Sequence, residues 1–167
     1  MACLGVHFAL SPADLQALLA APSDEDRLSL VTNDVEERYL DEASTYAAQT
    51  DKAWDAIHRA LTDGQLAYDN GPYPLSHVIL GGEPLYADDD YIISLKTVDQ
   101  VRAIAKALAA LTKEQLRAGY DRIDPSGYGF PLSDEDFEYT WDWLTGLVPF
   151  YQTAATEGRA VIFTADQ

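Results

Sequence analysis

Residues 91–108 read YIISLKTVDQVRAIAKAL, and the class of fold follows from them. Tyr91 to Leu95 is a short run rich in β-branched and aromatic side chains, which is the composition of a strand. Thr97-Val98-Asp99-Gln100 has the form of a capping box, in which a threonine hydroxyl and a glutamine amide satisfy each other's backbone at a helix start. Val98, Val101, Ile104, Ala105 and Leu108 then recur at intervals of three or four, so the helix that follows buries one face. One stretch thus needs both a strand and a helix.

Moving upstream, Trp54, Ile57, His58 and Leu61 obey the same helical spacing in a segment that begins at Asp51 and ends at Asp63-Gly64. Residues 66–74 hold Asn70-Gly71 and two prolines, a connector. Pro74 to His77 leads into Val78-Ile79-Leu80, a short helix or strand, and Gly81-Gly82 gives a sharp exit. Near the start, Leu4, Val6, Phe8 and Leu10 alternate as in a half-buried strand. Ser11, Pro12 and Asp14 form a helix N-terminus, with Leu15, Leu18 and Leu19 as its stripe. Residues 23–48 are polar and acidic, and Leu28, Val31, Val35 and Tyr39 again point to a helix.

Downstream, Thr112 to Gln115 repeats the capping pattern for a shorter helix ending near Gly119. Residues 124–133 form a loop around Tyr128 and Phe130. Ser133 caps a last helix with Phe137, Trp141, Leu144, Val148 and Tyr151 on one face, Pro149 bending it and Gly158 closing it, before a strand from Ala160 to Thr164. No βαβα rhythm is present. The expected fold is α+β: a single compact domain over residues 1–167, in which about five helices surround a small, mostly antiparallel sheet of three or four short strands.

Composition narrows the function. The chain has 167 residues, 47% of them hydrophobic, the balance of a globular domain. No apolar run suits a membrane helix and no signal peptide opens the sequence, so a cytoplasmic protein is expected. Cys3 alone builds neither a disulfide nor a cysteine-rich zinc site. Against 28 acidic residues stand 11 basic ones, a formal charge of −17, far beyond the magnitude of roughly 2 to 8 usual for a small domain. Such a surface repels phosphate backbones and anionic lipids, which argues against nucleic acid and membrane as partners. It favours encounter with a basic protein, although acidity also serves solubility alone.

The catalytic inventory is thin. His7, His58 and His77 show no metal-ligand spacing, so neither metal nor cofactor is expected. His58 reads as a histidine packed on Trp54, one turn earlier. Ser76 and His77 are sequence neighbours, which seldom point at each other, and without a nucleophile-elbow motif Ser76 reads as a cap. Cys3 reads as a small buried side chain, and Gly81-Gly82 lacks the phosphate-loop and dinucleotide fingerprints. Asp88-Asp89-Asp90 lacks the alternation of a calcium loop and reads as a solvated turn. Arg102, Lys106, Lys113 and Arg117 form a basic island that either binds a small anionic ligand or compensates acidic segments of the same chain, and the second is the favoured expectation. The loop aromatics Tyr73, Tyr86, Tyr128 and Phe130 either cover core edges or serve an interface.

Several segments, in this order, resemble the YfbM-like family, a bacterial group named as a domain of unknown function. They are Leu4-Gly5 with Ser11 and the Leu15, Leu18, Leu19 stripe; Asp51-Lys52-Ala53-Trp54 with Ile57-His58 and Leu61-Thr62; and Pro74-Leu75-Ser76 with Leu80-Gly81-Gly82. Glu114, Leu116-Arg117, Phe150-Tyr151, Ala154, Ala155, Gly158 and Ala160 continue it, so that the likeness covers nearly the whole chain. The Asp-Lys-x-Trp-x-x-Ile-His block is its most specific part. Asp63, which intervenes before the glycine, and the acidic residues 86–90 depart from the pattern. The resemblance implies a compact α+β fold and no settled activity. Some members look like neighbours of toxin genes, which implies an immunity role.

The resulting expectation is a non-enzymatic acidic protein-binding module, with an immunity-type inhibitor of a basic toxin domain as its specific form. The binding candidates are Asp51, Trp54, His58, Ser76, His77, Tyr86, Asp88, Asp89, Asp90, Tyr128 and Phe130, and no residue is assigned to catalysis or to a metal. The alternative is a small-ligand-binding protein or enzyme with a pocket near Trp54, His58, Ser76 and His77.

Overall fold

The last apolar run of the chain, Ala160 to Ala165, is buried at every position because both faces of its strand are covered. The computed structural model describes residues 3–42 and 44–167. Its strands are β1 (Leu4–Leu10), β2 (Ala47–Asp51), β3 (Glu83–Ala87), β4 (Tyr91–Lys96) and β5 (Ala160–Asp166), joined in one antiparallel sheet ordered β2-β1-β5-β4-β3. The sheet therefore has five strands rather than three or four. The two unforeseen ones, β2 and β3, are its edges. Their sequences, AAQTD and EPLYA, contain little of the β-branched signal that marks a central strand. Pro84 is tolerated because an edge position needs no amide on its outer side.

The helices are α1 (Pro12–Ala20), α2 (Asp24–Leu30), α3 (Glu36–Asp41), α4 (Trp54–Leu61), α5 (Val98–Ala110), α6 (Lys113–Tyr120) and α7 (Asp134–Thr156). A π-helical turn, Val31–Val35, fuses α2 and α3 into one body that ends at Asp41, and a 3-10 turn over Ser44–Tyr46 then leads into β2. The capping residues hold as expected. Ser11, Thr97, Thr112 and Ser133 each accept an amide from the residue three positions on, and Thr97 and Thr112 form complete capping boxes. Asp51 ends β2 instead of opening a helix. Its φ of 48° lies in the left-handed region, which aspartate tolerates, and it pairs with Gly5 where the β1–β2 register shifts.

Period-two alternation then sorts the side chains onto two faces. On one, Ala9, Ile92 and Phe163 pack against α4, α5, α6 and α7; on the other, Phe8, Leu10, Ile93 and Ile162 pack against α1 and the α2–α3 body. Each fully buried large side chain of this kind contributes about 2 to 3 kcal/mol. β1 is consequently not half-buried as its alternation suggested, for His7 and Ala9 are as inaccessible as Phe8. Polar or small residues on the second face hid that burial from a hydrophobicity pattern.

α7 runs unbroken for 23 residues with Pro149 inside it. Its buried residues are Phe137, Thr140, Leu144, Leu147, Phe150, Tyr151 and Ala154, and Trp141 and Val148 flank them half-buried. α6 ends at Tyr120, near Gly119 as expected, and that glycine is also a packing contact within the last turn. Gly146 has the opposite situation: it lies inside α7, and a Cβ there would meet no heavy atom within 4 Å. Gly146→Ala should raise stability by roughly 0.5–1 kcal/mol, seen as a higher urea midpoint at unchanged slope. A lower midpoint would show that the solvent face of α7 is not free.

Candidate functional site

The segment from Val78 to Gly81 lies between the helices and the sheet without a strand partner, so its carbonyl oxygens depend on side chains. Val78 O accepts from His7 Nε2 at 2.8 Å and from the Tyr151 hydroxyl at 2.7 Å. Ile79 O accepts from Lys96 Nζ, and the Ser94 hydroxyl serves Leu80 O at 2.8 Å and Gly81 O at 3.2 Å. Ser94 Oγ in turn accepts from Lys96 Nζ at 2.9 Å. His7, Lys96 and Tyr151 are fully buried. Because His7 donates through Nε2, its proton sits there, and Nδ1 is left without a partner. Burial pushes the His7 imidazole down to about 3 and the Lys96 amine well below its ordinary value. Apart from His7 Nδ1, the side-chain polar groups of this cluster are engaged by the chain itself.

The histidine candidates share that character. Trp54 Nε1 donates to Cys3 O at 2.9 Å and its ring packs on Phe163. His58, one turn on, is buried and shares a 2.8 Å hydrogen bond with Asn70 Oδ1, so it is held from the connector. Contrary to the expectation for sequence neighbours, Ser76 Oγ and His77 Nδ1 lie 2.9 Å apart. The chain doubles back over them: Gly81 N donates to Ser76 O, and any Cβ on Gly81 would collide with Ser76 O and His77 Nδ1. Ser76 lies inside a short 3-10 turn, Leu75–His77, and no side-chain cap is made there. Tyr73, exposed, stacks edge-on against His77.

The remaining candidates divide between core and surface. Tyr128 is buried and donates to Asp136 Oδ2 at 2.9 Å, an oxygen that also takes the Tyr120 hydroxyl. Phe130 packs edge-on against Tyr128 and stays 45% exposed. Asp51 accepts from Tyr139 at 2.6 Å and so supports the β2–α7 junction. Three of the four residues of the basic island are answered internally: Arg102 pairs with Asp99, Lys113 with Glu138, and Arg117 with Asp121 and Asp134, whereas Lys106 is exposed and makes no ion pair among the described residues. The chain's excess of carboxylates is therefore left to face outward.

Four of these carboxylates, Glu83, Asp88, Asp89 and Asp90, lie exposed on the β3–β4 hairpin. Tyr86 sits half-buried on the edge strand, and its phenol is pushed up by burial and by the surrounding charges of Asp88, Asp90, Glu25 and Asp24. Asp88, Asp89 and Asp90 form the exposed turn, in which Asp89 N donates to Asp88 Oδ1. The nearby cation, Arg27, is committed to Asp24 at 2.9 Å and to the Leu85 carbonyl.

Behind the hairpin a cavity of about 680 Å³ opens between the end of the sheet and the α2–α3 body. Leu4, Val6, Leu28 and Leu40 wall it. Its polar rim carries Glu36, Asp90 and Asp166, and no basic side chain lines it. Tyr91 donates a very short hydrogen bond to Glu36 Oε1. Burial lifts the Glu36 carboxyl above its ordinary value, the Tyr91 hydrogen bond opposes this, and Asp166 adds to it. Of the sequence candidates only Asp90 belongs to this cavity. Glu36, Tyr91 and Asp166 come from α3, β4 and β5, and no local spacing could have grouped them. Among the described residues no set of three or more histidine, cysteine or acidic side chains is arranged to hold a metal ion, and no helix is long and apolar enough to cross a membrane.

Comparison with known proteins agrees with this geometry at the level of fold. A family model described as a domain of unknown function, DUF1877, matches residues 1–164. Among solved structures the chain is similar to YfbM from Escherichia coli, a protein of unknown function, at 20% sequence identity and a TM-score of 0.66. That match covers 97% of this chain and 99% of the other. No curated protein matches.

Proposed function

This chain belongs to the DUF1877 family of unknown function, and we propose that it works as a non-enzymatic acidic module that binds a basic protein, with an immunity-type inhibitor of a basic toxin domain as its specific form. One observation supports this most directly. The half-exposed Tyr86 lies in the field of Asp24, Glu25, Asp88 and Asp90, and Arg27 pairs with Asp24 alone. An amphipathic aromatic at the centre of like charges is the composition of a contact patch for a cationic surface, where the ring supplies area and the charges supply steering. Each imidazole and the buried amine, by contrast, makes at least one hydrogen bond within the chain, and we take the surface field as the main chemical resource.

The double substitution Asp88→Lys, Asp90→Lys tests it. Affinity capture from the source cell lysate at low and high salt should yield a stoichiometric basic protein with the parent chain, released by salt. The double variant should bind that protein at least tenfold more weakly, mainly through slower association. Equal capture by both chains, or a partner that is not basic, would remove the proposal.

A further inference from the structure

We propose that the cavity behind the β3–β4 hairpin is a binding site for an arginine side chain presented by a basic protein partner, an inference that rests on the protein-binding reading and gives it a point of insertion. The cavity, at about 680 Å³, falls within the size range of roughly 300–1,000 Å³ typical of ligand sites. It combines two features that suit one kind of guest. Leu28 and Leu40 offer apolar wall along which a hydrocarbon stem can lie, and Glu36, Asp90 and Asp166 offer acceptors spread over three different elements.

Guanidinium fits that distribution better than ammonium. It is planar, weakly hydrated and carries five donors, so it loses less on leaving water and reaches several carboxylates at once. An ammonium is compact and strongly hydrated, and an apolar wall favours it less.

Glu36 supplies the link to a measurable property. The titratable groups facing it are Tyr91 from β4, Asp166 from β5 and Asp90 from the hairpin turn, with no cation among the lining residues. Its carboxyl, lifted by burial, gives up its proton more readily once a cation arrives. Guest affinity should therefore decline on acidification, starting above the range in which an ordinary glutamate titrates.

The probes are acetyl-Gly-Arg-Gly amide and acetyl-Gly-Lys-Gly amide, titrated into isotope-labelled protein and followed by nuclear magnetic resonance at neutral pH and at about pH 5. The arginine peptide should shift the methyl signals of Leu28 and Leu40, bind about tenfold more tightly than the lysine peptide, and weaken at the lower pH. Glu36→Gln and Asp166→Asn should each reduce its affinity about tenfold. The two variants act independently, so a folding defect in one leaves the other decisive. No binding, shifts confined to residues outside the cavity, or equal affinities for the two peptides would overturn the assignment. If the arginine peptide behaves as expected while no basic protein is captured from lysate, the cavity assignment stands and the protein-partner reading falls. The reverse pattern sinks the cavity and leaves the partner.

Discussion

Acidification from neutral pH to pH 4 should cost the protein about 3 kcal/mol through His7 alone. The native imidazole, held at about 3 by burial, refuses a proton that the unfolded chain accepts below about 6.5. The stability tied to His7 is complete above the unfolded value and is lost as pH falls toward the folded one, at about 1.4 kcal/mol per pH unit. Lys96 acts with the same sign over a more alkaline window, since its folded value is lowered from 10.5. Glu36, whose value is raised, works in the opposite direction, as does relief of the −17 self-repulsion when carboxylates are neutralised.

A comparison isolates the histidine. In His7→Gln the amide can still donate to Val78 O but does not titrate, so the slope of unfolding free energy against pH between about 4 and 6 should drop by roughly one proton. Urea unfolding at several pH values measures it. Identical slopes for the two chains would show that His7 is not the acid-sensitive group.

Gly119→Ala is the substitution with the largest expected structural effect. A Cβ added at Gly119 would stand far inside contact distance of the Ala60 carbonyl oxygen, and that atom is backbone on α4, which has no rotamer to move. The helices must part, with loss of contact around buried Leu116, Tyr120 and Leu61. Overpacking of this kind costs about 3 kcal/mol, which for a chain of this size lowers the melting temperature by roughly 6–12 °C. Gly129→Ala, where a Cβ meets nothing within 4 Å, is the control and should melt like the parent. A Gly119→Ala melting point equal to that of the control would mean that α4 and α6 do not cross as closely as described.

The parts of the fold written in local spacing were legible. Capping at Ser11, Thr97, Thr112 and Ser133, the apolar stripes of α4 and α5, and the strands at Tyr91 and Ala160 need only neighbours within a few residues. β2 and β3 were not legible, because an edge strand of alanine, glutamine, proline and glutamate owes its extension to the ladder it joins rather than to its own side chains. The candidate surface divided in the same way. The acidic hairpin could be named from Asp88-Asp89-Asp90 and Tyr86, whereas the cavity beside it could not, since Glu36 and Tyr91 meet across 55 positions.

By itself, then, the sequence determined most of the helical segments, the three strands at Leu4, Tyr91 and Ala160, and the excess of negative charge, because each of these depends on residue type and short-range period. Tertiary structure alone decided that the sheet is covered on both sides, that Lys96, His7 and Tyr151 serve the Val78–Gly81 carbonyls, and that three carboxyls from separate elements share one cavity. The physical reason is that a buried polar group is tolerated only where a distant partner satisfies it. No local pattern records which partner the folded chain will bring.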